Sequence, residues 1–354
     1  MRQIVLGGRA NGLGIARRLR RAGLECDVVE LDPRAVCAVS AAVSRFHRPD
    51  PDDGAITALL ISLLSPDGGV LYSTDDRWNA YVLRNRAALQ AAGARFPFES
   101  AQAIERVADK LALSQLARGT VEVPETRLYD GTSPGPEWIV KPRRPFDGFA
   151  IRKKGAGAEE TGRAYGNGEE FVAQKRVRAP LRGHLSLCGL RTDRVVGSLV
   201  YAKALEYPHP GGTSTLSVIH EKRQLHHELL SRGEALLEAL GYRGMFEIEF
   251  IHCGDSGRWF VIDVNLRFWL QHELGALLGV DYANLYRRWL CGEAVEDPQR
   301  TPGRVAWVHE GFALSLWSDW RDSVAAIGHL LTRRWLLAHW RLNDAQPLWR
   351  FLGV

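Results

Sequence analysis

The 354-residue chain has little cysteine, and its five thiols (Cys26, Cys37, Cys188, Cys253 and Cys291) are scattered without any CxxC spacing. That pattern argues against a disulfide framework and a structural zinc site. It reads instead as reduced, buried thiols in a cytoplasmic protein. Long apolar runs are also missing. The longest largely apolar stretch, Ala55 to Leu64, is far short of the ~18 residues that cross a membrane, and no apolar leader with a cleavage site opens the chain. Neither membrane insertion nor secretion is expected. Charge of one sign is never concentrated: 46 Lys and Arg against 41 Asp and Glu leave a net +5. So mild an excess makes no electrostatic case for nucleic acid, while anionic small molecules suit it. Internal repeats are absent. Lysine is scarce, with seven against thirty-nine arginines.

What is present is ordinary globular material, 45% hydrophobic, 25% charged and 9% aromatic, enough for a sizeable core. The length exceeds twice the ~150 residues of one domain, which implies two or three packed units. Gln3 to Leu6 reads as a strand, followed by the glycine turn Gly7 to Gly14, a helical pattern through Arg21, a stop at Gly23 and a second strand, Cys26 to Leu31, ending at Asp32. Strand, glycine turn, helix and strand make a Rossmann-like opening of a parallel α/β sheet. A dinucleotide with Asp32 on its ribose competes here with a purely structural tight turn, because the glycine spacing is irregular. Val70 to Ser73 is a later strand of the same sheet, ending in Thr74-Asp75-Asp76, and Trp78 to Ala92 reads as a helix. Further strands are expected at Trp138 to Lys141, Phe171 to Val177 and Val195 to Ala204, with a helix at His226 to Leu240. Six of the eleven tryptophans follow residue 302, a pattern of core or interface.

The most informative segment is a predicted hairpin, Met245 to Ile251 and Arg258 to Val264. Period-two alternation puts Glu247 and Glu249 on one face of its first strand, and Asp263, Asn265 and Arg267 on one face of the second and its continuation. Pairing through the turn at Cys253 to Gly257 sets Glu249 opposite or diagonal to Asp263. Two carboxylates and an amide oxygen are hard ligands that suit Mg²⁺ carrying nucleotide phosphates.

These residues resemble the ATP-grasp superfamily over most of the chain. The metal hairpin of that superfamily, acid-Phe on one strand and acid-x-Asn-x-Arg on the next, is matched by Glu249-Phe250 and Asp263-Val-Asn265-Leu-Arg267. Its two nucleotide lysines look like Lys110 and Lys141, and its adenine strand like Val172 to Val177, with Gln174, Lys175 and Val177 at the base. The glycine opening, the Thr74-Asp75-Asp76 strand end, the Tyr207 to Ser214 loop and Asn343-Asp-Ala-Gln-Pro347 look most like carboxylate–amine ligases of the D-aspartate ligase and carbamoyl-phosphate-synthase-like type. In that superfamily the opening domain usually helps hold the acceptor substrate and binds no dinucleotide.

The resemblance implies an α/β chain, α+β toward its C-terminal part. A Rossmann-like domain (1–105) precedes a small lid subdomain (106–177), a C-terminal ATP-grasp subdomain (178–302) and a Trp-rich helical extension (303–354). It implies an ADP-forming ligase that makes an amide through an acyl phosphate, with ATP and Mg²⁺ as cofactors, room for two ions and Mn²⁺ as a substitute. Glu249, Asp263 and Asn265 would hold the metal and Arg267 would serve catalysis. Small carboxylate and amine substrates would meet Asp75, Asp76, Gly211, Gly212, Thr213, Ser214 and His272; a homodimer fits the pattern. Three departures stand out. The phosphate-covering loop, Pro142 to Gly148, has two prolines and one glycine, so Arg143 and Arg144 are the candidates to replace backbone amides beside Gly148. His184 stands where a ribose-binding Glu is frequent. Asp263 replaces a usual Glu and is one methylene shorter.

Overall fold

A computed structural model describes residues 1–132, 134–144, 170–179, 183–207, 212–316 and 320–353. The N-terminal sheet is parallel, in the order β3-β2-β1-β4-β5, from β1 (Arg2–Leu6), β2 (Asp27–Val29), β3 (Arg45–His47), β4 (Gly69–Ser73) and β5 (Ala94–Arg95). Its central strands are buried on both faces, as an apolar run without alternation requires. Ile4, Val5 and Leu6 are fully buried, each contributing about 1.5–3 kcal/mol. Helix α1 (Ala10–Arg21) follows the glycine turn and carries Arg18, Arg20 and Arg21 in its last turn, where the helix dipole favours cations. Helix α2 (Asp53–Leu64) crosses over to β4. The single helix expected over Trp78 to Ala92 is two, α3 (Asp76–Arg84) and α4 (Arg86–Ala91), divided at Asn85.

Helices α5 (Ala101–Ala108) and α6 (Lys110–Ala117) lead to a small antiparallel sheet, β6-β8-β7, built from β6 (Thr126–Leu128), β7 (Trp138–Pro142) and β8 (Phe171–Lys175). Asp109 caps α6, its carboxylate accepting from Leu111 N and Ala112 N, and so fixes Lys110 at the first helical position.

The third sheet has seven strands, β13-β12-β9-β10-β11-β14-β15. Strands β9 (His184–Arg191), β10 (Val195–Tyr207) and β11 (Thr213–Ile219) precede helix α7 (Arg223–Leu240), and β12 (Gly244–His252) and β13 (Trp259–Asn265) form the hairpin. Helix α8 (Tyr282–Leu290) follows a 3-10 turn at His272–Leu278. Residues 303–354 are not a helical appendage. They add β14 (Val305–Val308) and β15 (Arg334–Leu337) to this sheet, along with helices α9 (Phe312–Leu316), α10 (Trp320–Leu331) and α11 (Gln346–Leu352). The continuous apolar Val305-Ala-Trp-Val308 segment is fully buried. Trp307 is core, whereas Trp335 and Trp349 remain about half exposed at 49% and 53%.

The large sheet and the N-terminal sheet share one apolar core, in which Leu6 and Trp78 pack with Phe246, Ile248 and Val264. Asp344 locks the C-terminal segment to the first domain by accepting from Arg17 Nε (2.9 Å), Ser40 Oγ (2.8 Å) and Ala41 N (2.9 Å). No described helix is long and apolar enough to cross a membrane.

Candidate active site

The hairpin register sets the site. Glu249 pairs directly with Asp263 and Glu247 with Asn265, ahead of a bulge at Phe250. Glu249 and Asp263 therefore stand side by side on one face, as alternation demands. Two lysines from α6 and β7 approach them: Lys110 Nζ lies 2.9 Å from Asp263 Oδ1, and the neighbouring Lys141 Nζ donates to Gln174 Oε1 at 2.8 Å. Burial opposes the charge on Lys110, but Asp263 outweighs it and raises the pKa. Among the described residues Lys141 forms no ion pair with a carboxylate, and burial, then repulsion from Lys110, lowers it to about 8.

Arg267 closes the other end. Its guanidinium donates to Asp76 (3.0 and 3.4 Å), to Asn265 Oδ1 (2.9 Å) and to Phe268 O (3.3 Å). Two further bonds hold this segment to the N-terminal domain: Phe268 N donates to Ser73 O at 3.2 Å, and Asn79 Nδ2 of α3 donates to Leu266 O at 3.1 Å. Asp75 caps α3 through Trp78 N (2.9 Å), and burial raises its pKa. The strand end Thr74-Asp75-Asp76 thus meets the hairpin arginine.

The three expected metal ligands, Glu249, Asp263 and Asn265, lie side by side, each engaged by a protein group. Glu249 has both oxygens occupied, Oε1 by Lys203 at 2.7 Å and Oε2 by His184 at 2.9 Å. Burial would raise the pKa of Glu249, yet Lys203 and then His184 hold it far below the usual carboxylate range. Asn265 Oδ1 accepts from Arg267 and its Nδ2 donates to Glu247 at 3.0 Å. Glu247 also accepts from Tyr201, and burial followed by Glu249 raises its pKa. No cluster of three or more His, Cys, Asp or Glu disposed to hold a metal occurs among the described residues.

Other expectations are also revised. His184 is not a free ribose ligand: it sits between Glu249 and Glu206, the latter at 3.3 Å from Nδ1. Arg143 is committed to Asp109 (2.7 Å) and Glu170 (2.6 Å), and Arg144 lies 3.2 Å from Asp109. Burial pushes Asp109 up, but the arginines and helix amides prevail and hold it at about 2. His272 is 2% exposed, with Nε2 at 2.9 Å from Asn11 O; it packs against α1 and faces no open site. Thr213 and Ser214 lie within β11, where the buried Ser214 hydroxyl meets Ser217 at 2.8 Å. Gly212 borders that strand. Gly148 and residues 208–211 of the Tyr207 to Ser214 loop, Gly211 among them, lie outside the described residues. Along β8, alternation turns Gln174 inward to Lys141 and leaves Lys175 outward. Lys175 and Val177 line a cavity of about 600 Å³ with Arg176, Pro124, Cys253 and Phe260, and neither Lys110 nor Lys141 reaches it.

The opening turn reads as structural. Glu30, not Asp32, answers Gly8: its carboxylate accepts from Gly8 N at 2.9 Å and Leu31 N at 2.6 Å. Asp32 instead caps its own turn through Arg34 N. Sequence reasoning missed Lys203 and Asn79. Lysine scarcity was the available signal for the first, since three of seven lysines converge here.

Known structures share this architecture. N5-carboxyaminoimidazole synthetase from Staphylococcus aureus, complexed with ADP, superposes over 84% of this chain and 80% of its own at a TM-score of 0.64 and 15% identity. The biotin carboxylase domain of Hydrogenobacter thermophilus 2-oxoglutarate carboxylase, with MgADP, ADP and bicarbonate, covers 86% and 73% at 0.65 and 14% identity. The L-amino acid ligase from Bacillus licheniformis covers 82% and 74% at 0.61 and 16% identity. The fold is the ATP-grasp fold. No protein-family model and no curated protein matches the sequence. Within this fold, Lys110 and Lys141 belong to the helix α6 and β7 side of the cleft, and Asp263 and Arg267 to the hairpin side.

Proposed function

We propose that the protein is an ADP-forming carboxylate–amine ligase acting on small molecules, with an amino acid or short peptide as the class of substrate. One observation carries the reading: Lys110 from the lid meets Asp263 of the hairpin, with Arg267 from the same hairpin anchored on Asp76 of the N-terminal domain. Cations from separate parts of the fold converge where a nucleotide phosphate and an organic carboxylate would meet.

In this reading Lys110 and Lys141 bind the phosphates, and nucleotide phosphate competes with Asp263 for Lys110. A carboxylate oxygen of the substrate attacks the γ-phosphorus, the bond to the β-phosphate bridging oxygen breaks, and ADP leaves. The amine then attacks the acyl phosphate carbon, loses its proton, and inorganic phosphate departs as the amide forms. Arg267, held in one orientation by four bonds, stabilises the negative charge that builds on the acyl oxygen. The nucleotide would arrive as its Mg²⁺ salt, the form in the Hydrogenobacter domain, and no protein step here depends on that ion.

The test is ADP release with ATP and pools of amino acids and short peptides, with hydroxylamine added to trap acyl phosphate as a hydroxamate. Pool-dependent ADP with a hydroxamate supports ligation. ADP release with a phosphorylated hydroxyl and no hydroxamate would make it a kinase, and nucleotide binding without any turnover would make it a non-catalytic binder.

A further inference from the structure

Glu247 is a buried acid that the chemistry above leaves unused. It lies on β12, 4% exposed, in register with Cys188 of β9 on one side and Asn265 of β13 on the other. Its chain neighbours Phe246 and Ile248 point to the opposite face and are fully buried in the apolar core. Both oxygens of Glu247 meet uncharged donors: Oε1 accepts from the Tyr201 hydroxyl of β10, and Oε2 accepts from Asn265 Nδ2 at 3.0 Å. Burying an acid on such partners costs more than an apolar side chain of similar volume would. What the acid does there has to be found in the groups it touches.

Asn265 is the informative one. A side-chain amide has a donating end and an accepting end of nearly the same shape, so its neighbours decide which way it points. Glu247 takes the Nδ2 end, and Oδ1 is left facing Arg267, which donates to it from Nη2 at 2.9 Å. The other side of the guanidinium is on Asp76, at 3.0 Å from Nε. A row of hydrogen bonds thus runs from Tyr201, fully buried in the large sheet, through Glu247, Asn265 and Arg267 to the N-terminal domain. Tyr201 fixes Glu247, Glu247 fixes the amide, and the amide offers Arg267 an acceptor in one place. We infer that Glu247 is a positioning residue, which holds the Arg267 guanidinium in its orientation by way of Asn265. The inference rests on the ligase reading for what Arg267 does, whereas the hydrogen-bond row is independent of any substrate.

The role needs an acceptor aimed at Asn265, and Glu247→Gln can supply one. Its Nε2 would donate to the Tyr201 oxygen, the Tyr201 hydrogen would turn to Gln271 Oε1, 3.1 Å from that hydroxyl, and Oε1 would keep Asn265 Nδ2. Glu247→Leu can do none of this. Two readouts are taken: the Nε–H magnetic resonance signal of Arg267, assigned by its loss in Arg267→Lys, and kcat and KM for ATP-dependent ADP release. Glu247→Leu should shift the Arg267 signal and speed its exchange with water. It should lower kcat about tenfold, the cost typical of a lost orienting partner, with KM for ATP within about twofold of wild type. Glu247→Gln should return signal and kcat to near wild type. In an Asn265→Ala background Glu247→Leu should cost nothing further, because its effect passes through Asn265. An Arg267 signal unmoved by Glu247→Leu would overturn the inference, and so would a shift of equal size in Glu247→Gln. Should Glu247→Leu fail to fold, Glu247→Asp, one methylene too short to reach both Tyr201 and Asn265, takes its place with the same expectations. A wild type that releases no ADP counts against the ligase reading and leaves the Arg267 signal to decide the role of Glu247.

Discussion

Lys110 and Asp263 stand 153 positions apart in the chain and 2.9 Å apart in space. The contact joins helix α6 to the hairpin of the large sheet. Lys110 is placed by the Asp109 cap and Asp263 by its register against Glu249, so neither side chain depends on the other for its position.

Asp263→Asn should therefore separate binding from turnover. It removes one negative charge near the phosphates, so ADP affinity should hold or tighten. ATP-dependent ADP release should fall about a hundredfold, the cost typical of a lost electrostatic contact in an active site. The fold should lose about 1–3 kcal/mol, because Lys110 is left without a charged partner. Calorimetry, a coupled ADP assay and thermal melting read the three effects, and wild-type turnover would remove Asp263 from the site.

Lys141 makes nucleotide binding pH-dependent. Its pKa is lowered to about 8, by burial and by Lys110, so it carries its proton below that value and loses it above. ADP binding should weaken about tenfold between about pH 7 and pH 9, and Lys141→Met should flatten that profile. The sign for folding is opposite. The unfolded chain holds the Lys141 proton up to its ordinary value of 10.5, so this group adds stability as pH rises from about 8 toward that value. A pH profile unchanged by Lys141→Met would show that another group titrates.

Much of this was legible in the sequence for local reasons. The order Glu247, Glu249, Asp263, Asn265, Arg267 yields a one-faced row from alternation alone, and the two strands are consecutive, so Glu249 falls opposite Asp263 without knowledge of the rest of the fold. Lys203 was not legible. Its reach to Glu249 depends on which strand separates β10 from β12, a pairing distant in sequence. Ser214 misled for the complementary reason: Pro and Gly crowd the sequence before it, but β10 and β11 pair up to Tyr207 and Thr213 and draw its hydroxyl into the sheet. The helical reading of the terminal segment missed β14, which is added beside β11, a lateral contact no local pattern encodes.

The glycine turn gives a stability test. A Cβ at Gly12 would lie 2.0 Å from the Gly7 carbonyl oxygen, a backbone atom that cannot rotate away. Gly12→Ala should cost about 1–3 kcal/mol, the range for overpacking. ADP affinity should be unchanged in the folded fraction, and NADH should show no saturable fluorescence change with the wild type. Saturable NADH binding lost in Gly12→Ala would restore the dinucleotide reading of this turn.

Arg267→Lys tests the last link between hairpin and N-terminal domain. The guanidinium serves three partners, Asp76, Asn265 and Phe268 O, from one rigid plane, and an ammonium of the same charge cannot hold all three in one orientation. Charge in the cleft is preserved, so ADP binding should be near wild type. Hydroxamate formation and ADP release should both fall about a hundredfold, because the missing contribution is oriented stabilisation of developing charge. Asp76→Asn keeps one acceptor oxygen for Arg267 and loses the second, longer bond together with the charge, so its loss should be smaller, about tenfold. If Arg267→Lys instead raises the Kd for ADP and leaves the maximal rate intact, Arg267 is a nucleotide ligand, and the substrate carboxylate must be sought elsewhere in the cleft.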